Sequence, residues 1–474
     1  MANKRRPKKF KPPYKKYVGG IGYVTSSQII VNGIIVDKSK YLYLQEEDEY
    51  ERPVIDMMGK LILDSSDYSK QKHEKQNKVS GIANSKLPIE LYSMILDYMI
   101  DMDNDDNFNM NKPEINTKAK YIDSEYSLVC KDFYLVMLPR LYNTPNLTSR
   151  NFKNFIDTLD EDKKLKRNIK KIPDNIVTPK HLASFVKILD LSMIIQSGKN
   201  SIISKLLRRC SSSLIEFIAP QTSFGTLSLT TLRSCLNLKS LNLQLVAEKV
   251  DLNELFTTLN KFSSLKHVAL PRAFFNCELL IENFITGRVK FEGGSVWPPN
   301  LVDVTLCGNV TNSFISICFL PTNLKKLSIA YCPLLDDVSI YKILDRCAYT
   351  LETIHFGYPL TKLRSDSLDD VLRYCSGTLK ELTILVDYIS KYFFLDDSHV
   401  ATNLQTLTLD CSGSLSQLNK LHPDDLTIAL VENRFPALKT IYLSAKIGWD
   451  LNSDDVQDLI SVFEDQDGSI YMTY

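Results

Sequence analysis

The chain has 474 residues, of which 44% are apolar and 24% charged. That composition describes a folded polypeptide with room for two or three domains, and excludes a disordered, collagenous or disulfide-framework protein. Its 57 basic and 56 acidic residues nearly cancel, but eight of the basic ones lie in residues 1–36, which hold no acid; 57 less eight leaves 49 against 56 in the remainder. The body is therefore mildly acidic, which argues against nucleic acid as a partner.

Ten cysteines are scattered without a C-x-x-C pair, the pattern of a reducing compartment, so the expected location is cytoplasmic, nuclear or both. The uncharged window Tyr17–Val36 is broken by four glycines and by Thr25, Ser26, Ser27, Gln28 and Asn32. It makes a poor membrane span, and none is expected.

Residues 1–20 carry Lys4, Arg5, Arg6, Lys8, Lys9, Lys11, Lys15 and Lys16 among prolines. They read as a disordered basic tail, either a nuclear-import signal, a phosphate-binding arm or a plain solvated end. Residues 21–63 read as a small β element. Asn32-Gly33 between Gln28–Val31 and Ile34–Val36 is a strong hairpin signal, because both turn positions need positive φ. Tyr41–Leu44 and Leu61–Leu63 are candidates for further strands, and residues 64–86 read as a polar linker.

Residues 87–145 read as a short helical module. Pro88 suits a first helical turn, and Leu91, Ile95 and Met99 repeat at helical spacing with Met94 and Tyr98 beside them. A second run, Ser127–Leu138, stops at Pro139 and precedes Leu141-Tyr142. Helices this short and this apolar cannot bury their own faces and need a partner. The wording Leu87-Pro88, Glu90-Leu91, Ile95-Leu96, Val129-Cys130-Lys131, Phe133 and Leu141-Tyr142 resembles the F-box. That module docks substrate receptors onto the Skp adaptor of SCF-type ubiquitin ligases. The resemblance assigns adaptor binding to Leu87, Pro88, Glu90, Leu91, Ile95, Leu96, Val129, Cys130, Phe133, Leu141 and Tyr142, and implies cullin and RING subunits beyond the adaptor. An acidic, Asn-rich insertion at 100–125 departs from the family pattern; eight of the eleven residues from Asp101 to Asn111 are Asp or Asn. It reads as a surface loop.

Residues 146–181 read as a linker helix, with Phe152, Phe155, Ile156 and Leu159 packing onto the F-box. From 182 to 474 the chain repeats apolar-x-x-apolar-x-apolar, followed by a loop and a helix. The repeats start at Val186, Leu214, Leu238, Leu265, Leu301, Leu324, Leu351, Leu379, Leu404 and Leu438. Seven of the nine intervals between these starts fall in the 20–29 residue range of leucine-rich repeats. The long intervals, around 271–300 and 410–437, read as loop insertions. Ser365-Asp366 and Pro423-Asp424-Asp425 look like helix starts. Cys332, Cys347 and the Cys-x-x-x-Leu junctions at Cys210/Leu214 and Cys375/Leu379 are similar to the cysteine-containing leucine-rich repeat of F-box proteins.

The expected fold is therefore α/β: a solenoid of about ten leucine-rich repeats with a parallel sheet on its concave face, capped by Asn452–Phe463 and Ser469–Tyr474. An all-α F-box and a short β element precede it. The third and fifth strand positions should face the concave side. Those rows are small and polar with no basic stripe, which suits a protein partner better than RNA. His267, Asp303, His355, Glu381 and Tyr442 are the candidate substrate contacts. No phosphate loop, G-x-S-x-G or H-E-x-x-H occurs, and the six histidines are far apart. No cofactor, metal or catalytic residue is expected. The resemblance implies a non-catalytic receptor for an unidentified protein substrate. The alternative is an F-box scaffold in a trafficking or chromatin assembly unconnected with ubiquitin.

Overall fold

The computed structural model describes residues 87–107, 124–168, 181–195, 200–289, 291, 294–375, 377–395, 400–413 and 421–473, and the backbone of four earlier strands. Side chains at 101–107, 124, 131 and 161–168 are outside the description. The chain divides into two units, Met1–Lys86 and Leu87–Tyr474.

In the first unit, β1 (Lys15–Val18) pairs antiparallel with β2 (Gly22–Thr25), and β3 (Gln28–Val31) with β4 (Ile34–Asp37). Val31 faces Ile34 across the second pair, the register that Asn32-Gly33 calls for. β1 corrects the reading of 1–20 as wholly disordered. Tyr17-Val18 and Tyr23-Val24 are aromatic and β-branched residues flanking glycines, which favours a hairpin despite the preceding lysines. The candidate strands at 41–44 and 61–63 and the linker 64–86 lie outside the described residues.

The second unit opens with α1 (Ile89–Asn107), a 3-10 turn (Ser124–Leu128), α2 (Lys131–Asn143) and α3 (Phe152–Asn168). Two expectations change here. α1 continues as helix to Asn107, well into the insertion expected to be a loop, of which 108–123 lie outside the described residues. α2 does not stop at Pro139 but runs through it. A proline removes the backbone donor that would serve the carbonyl four residues earlier, here Leu135; the adjacent carbonyl, Val136 O, accepts Arg140 Nη1 at 2.8 Å.

The rest of the unit is built on one parallel sheet, of eleven strands among the described residues, with helices such as Asn200–Cys210, Leu252–Leu259 and Asp337–Cys347 in the connections between strands. In spatial order they are β5 (Ile188–Asp190), β6 (Glu216–Ile218), β7 (Ser240–Asn242), β9 (His267–Ala269), β11 (Asp303–Leu306), β12 (Lys326–Ala330), β13 (Thr353–Gly357), β14 (Glu381–Leu385), β15 (Thr406–Asp410), β16 (Thr440–Ser444) and β17 (Ser469–Thr473). Two short strands, β8 (Val250–Asp251) and β10 (Phe274–Phe275), pair separately. This is the leucine-rich-repeat architecture, with each expected strand in place. The terminal segment expected as a cap supplies the eleventh strand, its Ser469 opposite Thr440 and its Tyr471 opposite Tyr442.

Each repeat buries its leucines against those of the next, giving one continuous core. The junction Cys-x-x-x-Leu is a tight turn: Leu214, Leu351 and Leu379 donate their N–H groups to the carbonyls of Cys210, Cys347 and Cys375 at 3.0–3.2 Å. The residue before the first leucine also reaches back one repeat. Asn237 Nδ2 donates to Ser212 O at 2.9 Å, Asn300 to Ser263 O at 2.8 Å and Asn403 to Gly377 O at 2.7 Å, while Thr350 and Thr378 use their hydroxyls in the same way. These bonds satisfy carbonyls at the inter-repeat turns.

Three further expectations are corrected. The 271–300 interval is more than a loop: it carries β10, a helix at Cys277–Ile285, and Trp297. Trp297 is buried edge-on to Phe256 at 4.9 Å, with Nε1 donating to Cys318 O at 3.1 Å. In the 410–437 interval the helix start expected at Pro423-Asp424-Asp425 is in place: the helix runs Pro423–Val431, its first turn closed by His422 N–H donating to Asp425 Oδ2 at 3.0 Å. Ser365-Asp366 does not start a helix, because Leu368 is fully buried by a turn and the helix begins at Val371. Finally, α3 sends Phe152 and Leu159 into the solenoid core, with Phe155 and Ile156 beside them, rather than onto the F-box helices alone.

Candidate interaction surfaces

The α1–α2 hairpin is held by a small core of its own. Leu96, Val136 and Met137 are buried together, flanked by Tyr92, Tyr126, Phe133 and Leu141. Tyr92 meets Phe133 edge-on at 5.3 Å. The Val-Cys-Lys-x-Phe wording has a local cause. Cys130 is the N-cap of α2 in extended conformation, and its Sγ accepts the N–H of Phe133 at 3.5 Å. Arg140 then ties α2 to α1. Its Nε and Nη2 donate to Asp97 Oδ1 and Oδ2, each at 2.7 Å, and Nη2 also donates to Ser93 Oγ at 2.6 Å. Sequence reading missed this clamp, since nothing local links residues 43 positions apart.

The apolar stripe expected on α1 points outward. Leu91 and Ile95 are each 40% exposed, Met94 66% and Tyr98 68%, with Leu87, Ile89, Leu128 and Val129 open nearby. Pro88, Glu90 and Cys130 are exposed as well, while Phe133, Leu141 and Tyr142 are half-buried. Leu96 is the exception among the expected docking residues: it is fully enclosed in the hairpin core and supports the surface from behind. Tyr142 faces the solenoid, stacking on Phe155 at 6.1 Å, and Lys187 N–H donates to Asn143 O at 3.0 Å. Hairpin and first repeat are thus joined through side chain and backbone.

The second surface is the sheet face turned away from the helices. The register aligns the two expected rows, and all five candidate contacts stand on them. They do not form one cluster, because β9 and β16 are six strand steps apart, about 29 Å at 4.8 Å per step. His267 Nδ1 lies 3.3 Å from Asp303 Oδ2. Thr353 Oγ1 donates to Glu381 Oε2 at 3.2 Å. His355 stands beside Gly357, where an added Cβ would come within 3.2 Å of its Nε2 and 2.8 Å of the Ala330 Cβ. Although the residue is exposed overall, the protein packed around the ring lowers the imidazole pKa from its ordinary value, and Asp410 pulls the other way. Tyr442 stacks on Tyr471, centroids 5.5 Å apart. Tyr471 was missed because its segment read as a cap.

Buried thiols are inert, since burial raises Cys210 and Cys375 to about 12 and Cys347 to about 11. His422 is brought between Asp424 (3.3 Å) and Asp455 (3.5 Å), an arrangement that separation in sequence concealed. All three side chains are about half exposed, so the group is a surface polar cluster linking two helix N-termini. Among the described residues, no helix is long and apolar enough to cross a membrane.

A capped helical hairpin with an exposed apolar face, fused to a leucine-rich-repeat solenoid, defines the class of protein. Comparison with known proteins supplies the family. The chain is 38% identical over 509 aligned positions to F-box protein YDR306C of Saccharomyces cerevisiae, covering all of both chains. It is 29% identical to Protein pof5 of Schizosaccharomyces pombe, over 73% of this chain and 90% of the relative. This chain belongs to the F-box proteins. No family model matches it. Among solved structures, the leucine-rich repeat-containing protein LegL7 from Legionella pneumophila aligns at 13% identity and TM-score 0.38, over 60% of this chain and 88% of that one. The yeast Rad7 and Elc1 complex aligns at 15% identity and TM-score 0.41, over 73% and 92%.

Proposed function

We propose that this chain is the substrate-receptor subunit of an SCF-type ubiquitin ligase. The outer face of α1, with the residues leading into α2, docks a Skp-type adaptor and through it cullin and RING subunits. The helix-free sheet face holds a protein substrate. The chain itself is non-catalytic and acts by raising the effective concentration of a substrate lysine near the charged ubiquitin carrier.

The observation that carries this reading is the outward apolar face of α1. Leu91, Met94, Ile95 and Tyr98 are exposed although the adjacent Leu96 and Ile100 are buried. A patch of that kind, on a hairpin already cored and clamped, marks a protein interface rather than unfinished packing. The test is capture of the Skp adaptor by full-length chain carrying Leu91→Asp with Ile95→Asp. Burying each such side chain is worth about 1.5–3 kcal/mol, so the double variant should lose the adaptor while the solenoid's thermal transition stays in place. Undiminished capture overturns the docking surface. Capture without any ubiquitin-dependent turnover of co-purifying proteins would instead favour an F-box scaffold outside the ubiquitin pathway.

A further inference from the structure

The residue just before each strand forms a row that the third and fifth strand positions do not reveal. The strands are paired in register, so these preceding residues are aligned too. In the ten repeats, six are lysine: Lys187, Lys239, Lys266, Lys325, Lys380 and Lys439, all exposed. The row is anchored by backbone. Lys187 O accepts the N–H groups of Ile215 and Glu216 at 2.8 and 3.0 Å, and Ile215 O accepts those of Lys239 and Ser240 at 2.7 and 3.1 Å. Lys239 O then accepts those of Lys266 and His267 at 2.8 and 3.0 Å.

Within this row the protein already holds one carboxylate. Glu352 lies between Lys325 and Lys380, and each Nζ donates to one of its oxygens at 2.7 Å. Lys187 and Lys239 have the same two-strand separation, but Ile215 stands between them where Glu352 stands in the other triplet. Lys266 follows on the next strand. None of these three lysines makes an ion pair among the described residues; the nearest acids by register are Glu216, one position into β6, and Asp303, one position into β11.

We propose that Lys187, Lys239 and Lys266 form a rail for an extended acidic polypeptide segment, whose carboxylates lodge between lysines as Glu352 does between Lys325 and Lys380. An extended segment presents every second side chain on one side at about 6.8 Å, between one and two strand steps of the row. The flexible lysine stems absorb the mismatch. The rail has no aromatic residue on which bases would stack, and its intervening position is aliphatic, so it suits carboxylates rather than a nucleic-acid strand. This inference stands apart from the adaptor-docking reading.

The experiment is fluorescence anisotropy of a labelled polyglutamate peptide with the full-length chain at low and raised salt. The expected result is binding that weakens with salt. Lys187→Gln with Lys239→Gln and Lys266→Gln should weaken it about tenfold, the modest loss expected of three exposed pairs. Glu352→Gln, which releases Lys325 and Lys380, should tighten it. No binding by the wild-type chain, equal binding by a folded triple variant, or equally tight binding of a thymidine oligonucleotide overturns the proposal. If the triple variant loses its thermal transition, Lys239→Gln alone decides, because Lys239 is the middle residue of the rail and must still weaken the peptide.

Discussion

Arg140 grips Asp97 with two arms, Nε to Oδ1 and Nη2 to Oδ2, both at 2.7 Å, and so fixes α2 against α1. The same guanidinium reaches Ser93 Oγ and the Val136 carbonyl next to Pro139. One side chain therefore joins the two helices and stabilises the one that carries a proline. Arg140→Ala should loosen the hairpin by about 1–2 kcal/mol, the range for a charged hydrogen-bond pair discounted for the exposure of Asp97. Hydrogen exchange of the Leu96 and Met137 amides should accelerate while the solenoid's amides are unchanged. Arg140→Lys should not restore protection, because an ammonium cannot make the forked contact. Equal exchange in wild type and Arg140→Ala would mean the clamp is ornamental.

A second outcome concerns Gly357. A Cβ there would lie 2.8 Å from the Ala330 Cβ and 3.2 Å from His355 Nε2. Gly357→Val should cost about 1–3 kcal/mol by overpacking β12 against β13, and should push the His355 ring off its place. Its NMR titration should then move toward the ordinary imidazole value, since crowding is the main cause of its lowered pKa. A titration that does not move would locate the desolvation elsewhere.

The solenoid was legible because its period is written in leucines, and a register of two decides which side chains face out. The strand rows follow directly from the spacing of Leu324, Leu327 and Ile329. The hairpin was legible as wording but not as orientation. Leu91, Ile95 and Leu96 look alike in sequence, yet Leu96 is enclosed and the other two are open, a distinction set by where α2 lies. The Asp97–Arg140 clamp, the Tyr442–Tyr471 stack and the His422 cluster join residues distant in sequence, so no local pattern announced them. The lysine row was overlooked because it precedes the strand positions read for binding.

Glu352 gives a pH outcome. Its carboxyl is held down to about 2 by hydrogen bonds from Lys325 and then Lys380. A folded-state pKa below the unfolded one means the triplet's contribution is present above about pH 4.5 and is lost as pH falls toward 2. Carbon-detected NMR should show Glu352 titrating below the other exposed glutamates. Lys325→Gln should raise its pKa, and adding Lys380→Gln should return it to the ordinary range. A midpoint that both substitutions leave alone would rule out the two lysines as its cause.

Tyr442 and Tyr471 stack on the last two strands of the sheet face, centroids 5.5 Å apart and planes 27° from parallel. Each ring stands on a hydrogen-bonded strand, so little conformational freedom is left to lose when a partner covers it. Aromatic pairs of this kind commonly carry binding energy at protein interfaces. Tyr471→Ala should remove the support of Tyr442 and weaken a substrate held there as much as Tyr442→Ala does. The double variant should then add little, since the two rings act as one unit. The measurement is quantitative capture of co-purifying proteins by full-length chain, single and double variants side by side, with adaptor binding as the internal control. His355→Ala, three strands from Tyr442 in the sheet, provides the comparison: additive losses with Tyr442→Ala would mean the substrate spans the face. If the two tyrosine variants differ from each other, or neither changes any captured protein while adaptor binding holds, the pair is structural and not a partner-binding unit.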